Sequence, residues 1–309
     1  MGTAHESLVV ATWEFSQSGV ESCFDCLRKG GKPLDAVETG IHVVELEPTV
    51  TSVGYGGLPN ANGELELDAA ITDGAHFGAV FALRGYRSAI GIARGVLERS
   101  EHTALAGNGA VNFAQEVLGE APLPDSELLT EHARRRLAEY RAGRFQGRPN
   151  ESHDTVGMIA AQSTGDIAAG CATSGYPFKR PGRVGDSPLP GGGLFCESGL
   201  GAAVATGDGD DLMRLCPTHL IVELMRNGQS PQRACEEAVQ RVMRYREQTG
   251  RDCRGAFIAV RCDALAWGAH ATHEGFVVAH ADGRRMDQSL LIPVEVPEAR
   301  NKPWRRVCV

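Results

Sequence analysis

The sequence predicts a layered α/β domain with its helices on the outside. Short apolar runs typical of buried strands recur along the chain, helical patterns flank them in both halves, and no internal repeat is visible. With 309 residues, 42% of them hydrophobic and 23% charged, the chain is long enough for one large domain or two small ones.

The first half of the chain alternates apolar runs with helical patterns. Residues 8–13 fit a buried strand, and Ser16 can N-cap a helix that ends near the glycine pair at 30–31. Pro33 suits the first turn of a second helix, which Pro48 ends. This half is completed by a glycine-rich segment at 50–75 with strand-like pieces near 64–70, and by helical patterns at 87–99, 108–118 and 125–143.

The second half begins with two apolar runs, 156–162 and 167–173, and the Ser-Thr-Gly-Asp between them predicts a hairpin. A loop dense in glycine and proline follows at 182–193. Two helices are predicted at 209–226 and 231–248, with Ser230 as the cap and Pro231 as the first residue of the second. Strand-like runs follow at 256–260, 264–271 and 276–281, and the last two are expected to pair as a hairpin at a sheet edge.

Charge and composition exclude several classes of partner. The formal net charge of −8, with no basic run longer than 134–136, argues against nucleic acid. No apolar run approaches the roughly 20 residues of a membrane helix, and the N-terminus lacks the regions of a signal peptide. The nine cysteines, odd in number and scattered through apolar segments, indicate reduced thiols. We expect a soluble, cytoplasmic protein with no membrane partner, unless a leader precedes this sequence.

The Asp154-Thr155 step carries the most chemistry. A threonine hydroxyl is a weak nucleophile that needs an adjacent base, and a threonine at the start of a chain can use its own α-amino group. Thr155 lies inside the chain, so this role requires cleavage of the bond before it. The polar segment at 144–153, which contains glycine and proline and has no periodicity, ends next to that bond and suits such a cut.

Four strings in the second half resemble the signatures of the glycosylasparaginases, the aspartylglucosaminidases among the N-terminal-nucleophile hydrolases. They are HDTVGM at 153–158, TSG at 173–175, GRVGDSPLPG at 182–191 and ATGDGD at 205–210. The resemblance extends to the first half through TWEF at 12–15, LDAVE at 34–38, SVGYGG at 52–57 and LDA at 67–69. It is weakest in the linker and the C-terminal tail, and this chain has Ser174 where the family often has asparagine.

This resemblance implies one domain over residues 1–309, folded as a four-layer αββα sandwich. It also implies that the precursor cuts itself into an α-subunit, 1–154, and a β-subunit, 155–309, which assemble as a dimer of αβ units. His153 and Asp154 would serve this self-cleavage, and Thr155 would serve both self-cleavage and turnover.

The resemblance also assigns the catalytic and binding residues. Thr155 is the nucleophile, Thr173 orients it through a hydrogen bond, and the Thr206 hydroxyl with the Gly207 backbone N–H forms an oxyanion hole that also contacts substrate. Arg183 would bind the α-carboxylate of the substrate in a two-pronged contact, and Asp186 its α-ammonium group. Trp13 would line the site, although core packing explains a tryptophan in an apolar run equally well.

The expected activity is hydrolysis of the side-chain amide of asparagine linked to N-acetylglucosamine, a small-molecule substrate, with no cofactor. Plain asparaginase or β-aspartyl peptidase activity is the alternative, although those relatives typically place glycine before the threonine, where this chain has Asp154. An uncleaved binding protein would have lost the nucleophile. His270, His273 and His280, near Glu274, lack metal-site spacing and are expected at the surface, so no metal is predicted.

Overall fold

A computed structural model describes residues 6–145, 154–283 and 290–293 of the chain. The strands in these residues are β1 (Ser7–Thr12), β2 (Leu67–Thr72), β3 (Phe77–Leu83), β4 (Ala104–Ala106), β5 (Val156–Gln162), β6 (Ile167–Thr173), β7 (Leu194–Glu197), β8 (Gly201–Gly207), β9 (Gly255–Arg261), β10 (Ala266–Ala271), β11 (Val277–Asp282) and β12 (Leu290–Pro293). The α-helices are α1 (Gln17–Arg28), α2 (Pro33–Glu45), α3 (Ile90–Arg99), α4 (Gly107–Phe113), α5 (Glu131–Arg141), α6 (Gly209–Leu215), α7 (Pro217–Arg226) and α8 (Pro231–Thr249).

The strands form two sheets that pack face to face between layers of helices. The larger sheet has the order β12-β11-β1-β5-β6-β2-β3-β4, and the smaller sheet has the order β10-β9-β8-β7. Their facing sides share one apolar layer, in which Val10 and Ile159 of the larger sheet join Val204 and Ile258 of the smaller. Helices α1, α2 and α3 pack on the other side of the larger sheet, and α7 and α8 on that of the smaller. The predicted four-layer αββα sandwich is confirmed.

Strands β5 and β6 form an antiparallel hairpin near the middle of the larger sheet, as predicted. Successive side chains of a strand point to opposite faces. Val156 and Met158 lie in the helix-side core, whereas Ile159 and Cys171 lie in the layer between the sheets. Thr155, directly before β5, therefore belongs to the end of the face that looks toward the smaller sheet.

Two predictions about the second half are wrong. The helix expected at 209–226 is divided into α6 and α7 at Cys216, whose φ is 47°, because the ring of Pro217 disfavours helical backbone at the residue before it. The strands expected to pair with each other, β10 and β11, lie in different sheets: β10 pairs with β9 and β11 pairs with β1. Ser230 does cap α8, since its side chain accepts a hydrogen bond from Arg233 N.

The N-terminal end of α1 also differs from the prediction. Ser16 occupies the N-cap position, but its side chain makes no capping hydrogen bond. Its hydroxyl instead donates to the carbonyl oxygen of Thr12 at 2.6 Å. This contact closes the chain back onto the end of β1, where the candidate site begins.

The described part of the chain bears on three further expectations. It contains no helix long and apolar enough to cross a membrane. Its eight cysteines are all free thiols. It contains no group of three or more His, Cys, Asp or Glu side chains suited to a metal ion. The surface position predicted for the histidines is wrong for His270 and His280, which are both buried. His270 lies on the edge strand β10, which α8 covers, and the ring of His280 on β11 lies 5.3 Å from that of Trp267.

A buried carboxyl at the end of α2 gives the fold a testable pH dependence. Glu45 accepts hydrogen bonds from Ser88 Oγ at 2.6 Å and from the backbone N–H of Ala89 and Ile90, and so joins α2 to the start of α3. Burial raises the pKa of Glu45 to about 7. A raised folded-state pKa means that the native protein holds this proton more tightly than the unfolded chain. The contribution of protonated Glu45 to the free energy of unfolding is therefore fully present below the pKa of this group in the unfolded chain. It is lost as pH rises through about 7.

We expect Glu45→Gln to flatten this dependence. Between pH 5 and pH 8 the free energy of unfolding should fall less in the variant than in the wild type, by about 2–3 kcal/mol. Denaturant unfolding at the two pH values measures the difference. Glu21→Gln, at an exposed position of α1, is the control and should keep the wild-type slope. Equal slopes for wild type and Glu45→Gln would contradict the assignment.

Candidate active site

The backbone of Thr155 is held by side chains from both sheets. The Thr12 hydroxyl, at the end of β1, donates to the Thr155 carbonyl oxygen at 2.6 Å and accepts from Gly157 N at 2.9 Å. The Thr155 N–H donates to Thr206 Oγ1, at the end of β8, at 3.1 Å. Thr155 itself is only 4% exposed. These contacts fix both sides of the residue predicted to be the nucleophile.

The Thr206 hydroxyl oxygen accepts two N–H groups. One comes from Thr155 and the other from the indole of Trp13, whose Nε1 lies 3.1 Å from Thr206 Oγ1. A hydroxyl oxygen has two acceptor lone pairs and one proton to donate. Because both lone pairs are engaged, the remaining proton of Thr206 points in a third direction. The hydroxyl is thereby set up to donate to a third group, as an oxyanion donor must.

Trp13 reaches Thr206 from a strained backbone. Its φ of 68° is rare for a residue with a side chain, and such strain persists where the surroundings fix the conformation. The indole packs edge-on against Phe276, with ring centroids 5.1 Å apart, and lies 6.2 Å from the ring of His273. The structure therefore places the indole of Trp13 in the layer between the sheets, beside Thr206. That Trp13 lines the substrate site stays a prediction.

Gly207, the second predicted oxyanion donor, occupies a position that only glycine fits. Its φ is 141°, and a Cβ there would lie 2.3 Å from the carbonyl oxygen of Arg254. The residue directly follows Thr206 at the end of β8. Its N–H as an oxyanion donor stays a prediction.

Thr173 lies on the strand next to Thr155, but its hydroxyl makes other contacts. The register of the β5–β6 hairpin pairs Val156 with Ala172 and so places Thr173 beside Thr155. The Thr173 hydroxyl donates to the Ser52 carbonyl oxygen at 3.3 Å and accepts from Gly175 N at 2.9 Å. The turn after β6 thus engages this hydroxyl, and the expected hydrogen bond from Thr173 to Thr155 is absent between these two described residues.

The guanidinium of Arg183 stacks on the ring of Tyr176, and one of its nitrogens has no hydrogen-bond partner among the described residues. Its central carbon lies 3.8 Å from the centroid of the Tyr176 ring, and its Nε lies 3.2 Å from Asp210 Oδ1. A Cβ at Gly175 or at Gly185 would come within 3.1 Å of Nη1. Nη2 is buried and has no hydrogen-bond partner among the described residues. A buried guanidinium nitrogen in this state is suited to bind an anionic ligand such as a carboxylate.

Asp186 is buried in the same loop, three residues further on. A Cβ at Gly209 would lie 2.7 Å from Asp186 Oδ1, so the glycine at the start of α6 leaves room for this carboxylate. The carbonyl oxygen of Asp186 accepts from Leu189 N and Gly193 N, which closes the loop into a tight turn. The loop therefore carries Arg183 and Asp186 together, as the sequence predicts.

Buried charges on β2 and just before it anchor the start of this loop. The carboxylate of Glu66 accepts from Gly182 N at 3.1 and 3.2 Å. Lys179 Nζ lies 3.3 Å from Asp68 Oδ2, and both side chains are almost completely buried. A buried ion pair of this kind is costly unless its geometry is good, so it fixes where the loop can lie. The sequence prediction did not include these residues.

The prediction also missed two hydroxyls that contact Thr155. Thr12 holds its carbonyl group, and Ser187 Oγ lies 2.9 Å from Thr155 Oγ1. Thr12 directly precedes Trp13 and Ser187 directly follows Asp186, within two of the strings that resemble the family. This adjacency to predicted site residues is the sequence signal that could have identified them. Asp154 is half-buried directly before Thr155, whereas His153 lies outside the described residues.

Comparisons with known proteins find relatives over most of the chain. Residues 3–291 match the family model described as Asparaginase. The N(4)-(beta-N-acetylglucosaminyl)-L-asparaginase of Elizabethkingia miricola is 39% identical over 293 residues, which cover 92% of this chain and 85% of the relative. The protein of the same name from Mus musculus is 38% identical and covers 79% of each chain. That of Rattus norvegicus is 39% identical and covers 77% of each.

Proposed function

The chain belongs to the asparaginase family, and on that premise we propose that it is an amidohydrolase acting on N4-(β-N-acetylglucosaminyl)-L-asparagine. The products are aspartate and the glycosylamine. The observation that carries the proposal is the set of contacts at Thr155, whose nitrogen and hydroxyl both meet polar groups in a buried site. The names of the relatives favour this activity over plain asparaginase or β-aspartyl peptidase.

In the proposed reaction the Thr155 hydroxyl oxygen attacks the side-chain amide carbon of the substrate. Its proton passes to the α-amino group, which has an ordinary pKa of about 7.7–8.0 and suits a general base near neutral pH. The amino group then protonates the departing glycosylamine, leaving an aspartyl ester on Thr155. Water cleaves the ester and restores the hydroxyl. Thr206 and Gly207 donate hydrogen bonds to the oxyanion formed in each step.

The same hydroxyl would first generate its own amino group. Thr155 Oγ1 attacks the carbonyl carbon of Asp154, the peptide bond shifts to an ester, and water opens that ester to leave subunits 1–154 and 155–309. His153 and Asp154 act only in this step. The dimer of αβ units and the cytoplasmic location remain predictions.

The substrate end is proposed to bind at Arg183 and Asp186. Arg183 offers its buried Nη2 to the α-carboxylate, and Asp186 offers its carboxylate to the α-ammonium group. These two groups recognise the aspartyl end, which the competing substrates share. The leaving group therefore has to be tested directly.

The proposal is tested by electrophoresis and by parallel assays of aspartate release. Under denaturing conditions, aged protein should run as two bands that correspond to 1–154 and 155–309. Cleaved protein is then given glycoasparagine, asparagine and a β-aspartyl dipeptide, and kcat/KM should be highest for glycoasparagine. A single full-length band contradicts self-cleavage, and no aspartate from any substrate contradicts the amidohydrolase. A higher kcat/KM for either other substrate assigns the alternative activity.

Trp13→Phe tests the role of the indole N–H. The phenyl ring keeps the apolar contact with Phe276 but removes the donor that occupies one lone pair of Thr206. We expect kcat to fall about tenfold with KM changed much less, because the oxyanion donor loses its fixed direction. Trp267→Phe, at a tryptophan that packs in the same layer against His280, is the control and should retain wild-type kcat. A purely structural Trp13 would instead give a lower melting temperature with unchanged kcat.

A further inference from the structure

The hydroxyl of Ser187 is the group that contacts the nucleophilic oxygen. Ser187 Oγ and Thr155 Oγ1 are 2.9 Å apart, and the two residues are 2% and 4% exposed. The structure gives neither hydroxyl another hydrogen bond among the described residues. In this hydrogen bond one hydroxyl donates its proton and the other oxygen accepts it, and the distance fits either direction. Such a pair is sensitive to the loss of either member.

The backbone around Ser187 fixes this contact. Leu189 N and Gly193 N both donate to the Asp186 carbonyl oxygen, at 2.8 and 2.9 Å, so the chain turns tightly around Ser187. Gly193 packs so closely that a Cβ there would lie 2.4 Å from Ser187 Cα. The turn therefore fixes the position of the Ser187 hydroxyl, and this position does not depend on bound substrate.

The chemistry required of Thr155 decides which of the two hydroxyls donates the hydrogen bond. When Thr155 gives its proton to the α-amino group, negative charge develops on Oγ1, and a donor to that oxygen stabilises it. Ser187 can be that donor while it keeps its own proton throughout. In the second half of the reaction Oγ1 leaves the ester, again with developing negative charge, and the same contact acts again.

We propose that Ser187 is a further catalytic residue that donates a hydrogen bond to Thr155 Oγ1 during formation and hydrolysis of the aspartyl ester. This proposal rests on the proposed function. It assigns to the loop at 182–193 a direct part in the chemistry, in addition to its binding of the aspartyl end. The proton balance is unchanged: the Thr155 proton goes to the amino group, then to the leaving amine, and water returns one to Oγ1.

Ser174 provides a matched control. It is 1% exposed, it lies at the end of the strand next to Thr155, and its Oγ is buried without a hydrogen-bond partner among the described residues. Replacing either serine by alanine removes one buried hydroxyl close to the site. Only Ser187→Ala removes a contact with the nucleophile.

The experiment measures kcat, KM and melting temperature for wild type, Ser187→Ala, Ser187→Thr and Ser174→Ala, all as cleaved protein. We expect Ser187→Ala to lower kcat about 10- to 100-fold with KM within about threefold of wild type. Ser187→Thr should recover at least part of the loss, and Ser174→Ala should keep wild-type kcat. If Ser187→Ala fails to self-cleave while Ser174→Ala cleaves normally, this supports a role of the Ser187 hydrogen bond already when Thr155 attacks Asp154 in the precursor.

Two outcomes overturn the proposal while leaving the proposed function in place. One is active wild type with kcat of Ser187→Ala within twofold of it. The other is an equal fall of kcat in Ser174→Ala, or a fall in Ser187→Ala that follows its melting temperature and is not relieved by threonine. A wild type that releases no aspartate from any of the three substrates overturns the proposed function itself, and the role of Ser187 with it.

Discussion

Thr155→Ala is expected to give a protein that stays full-length and releases no aspartate. The substitution removes the oxygen that attacks Asp154 in the precursor and the substrate in the mature enzyme, so both activities fail together. Loss of a nucleophile in hydrolases of this general kind lowers kcat by about 10⁴- to 10⁶-fold. Denaturing electrophoresis over several days measures the first effect, and an aspartate-release assay measures the second.

Thr155→Ser is the matched variant for this prediction. Serine keeps the hydroxyl and the backbone N–H that donates to Thr206, and loses one methyl group from a buried position. Some self-cleavage and some turnover should therefore remain, at rates below those of the wild type. Two bands of subunit size from Thr155→Ala, or turnover by it above the background of the assay, would rule out Thr155 as the nucleophile.

Arg183→Ala is expected to have the second largest effect, and mainly on KM. The guanidinium presents a buried nitrogen without a partner among the described residues, and its loss would leave the α-carboxylate of the substrate unpaired in a half-buried site. Losing one partner of such a charge pair typically costs about 2–5 kcal/mol, or roughly 30- to several thousand-fold in kcat/KM. Initial-rate kinetics with glycoasparagine measures this change.

Two further variants make the Arg183 prediction specific. Arg180→Ala removes an exposed arginine just before the loop at 182–193 and should leave kcat/KM unchanged. Arg183→Lys keeps the positive charge but loses the planar fork and the stacking on Tyr176, so its kcat/KM should lie between wild type and Arg183→Ala. Wild-type KM in Arg183→Ala would mean that the carboxylate binds elsewhere.

The elements with strong local signals were predictable from the sequence. The β5–β6 hairpin has two apolar runs and a turn string, and α8 has both a serine cap and a proline in its first turn. The sheet to which a strand belongs depends on contacts distant in sequence, and this is why β10 and β11 were wrongly paired. The break at Cys216 was missed because helical periodicity continues across Pro217, although the proline itself carried the signal.

The residues of the candidate site were predictable where they lie in strings that resemble the family. Thr155, Arg183, Asp186 and Thr206 lie in strings whose resemblance assigns them roles, and the structure brings their loops and strands together. The contact of Ser187 with Thr155 depends on the tight turn that Gly193 permits, and no pattern along the chain encodes that distance. The hydrogen bonds of Thr173 likewise depend on the turn after its strand.

The strand order of the larger sheet determines what a cut before Thr155 would do to the molecule. Two blocks of strands from before the bond, β1 and β2-β3-β4, alternate with two blocks from after it, β12-β11 and β5-β6. Each fragment alone would therefore hold a broken sheet with open edges, which are prone to wrong pairing. The two fragments would form an interlocked pair and would elute together in native size-exclusion chromatography. They should reassemble poorly when refolded from separate solutions, because the intact precursor alone brings all the blocks together in one chain.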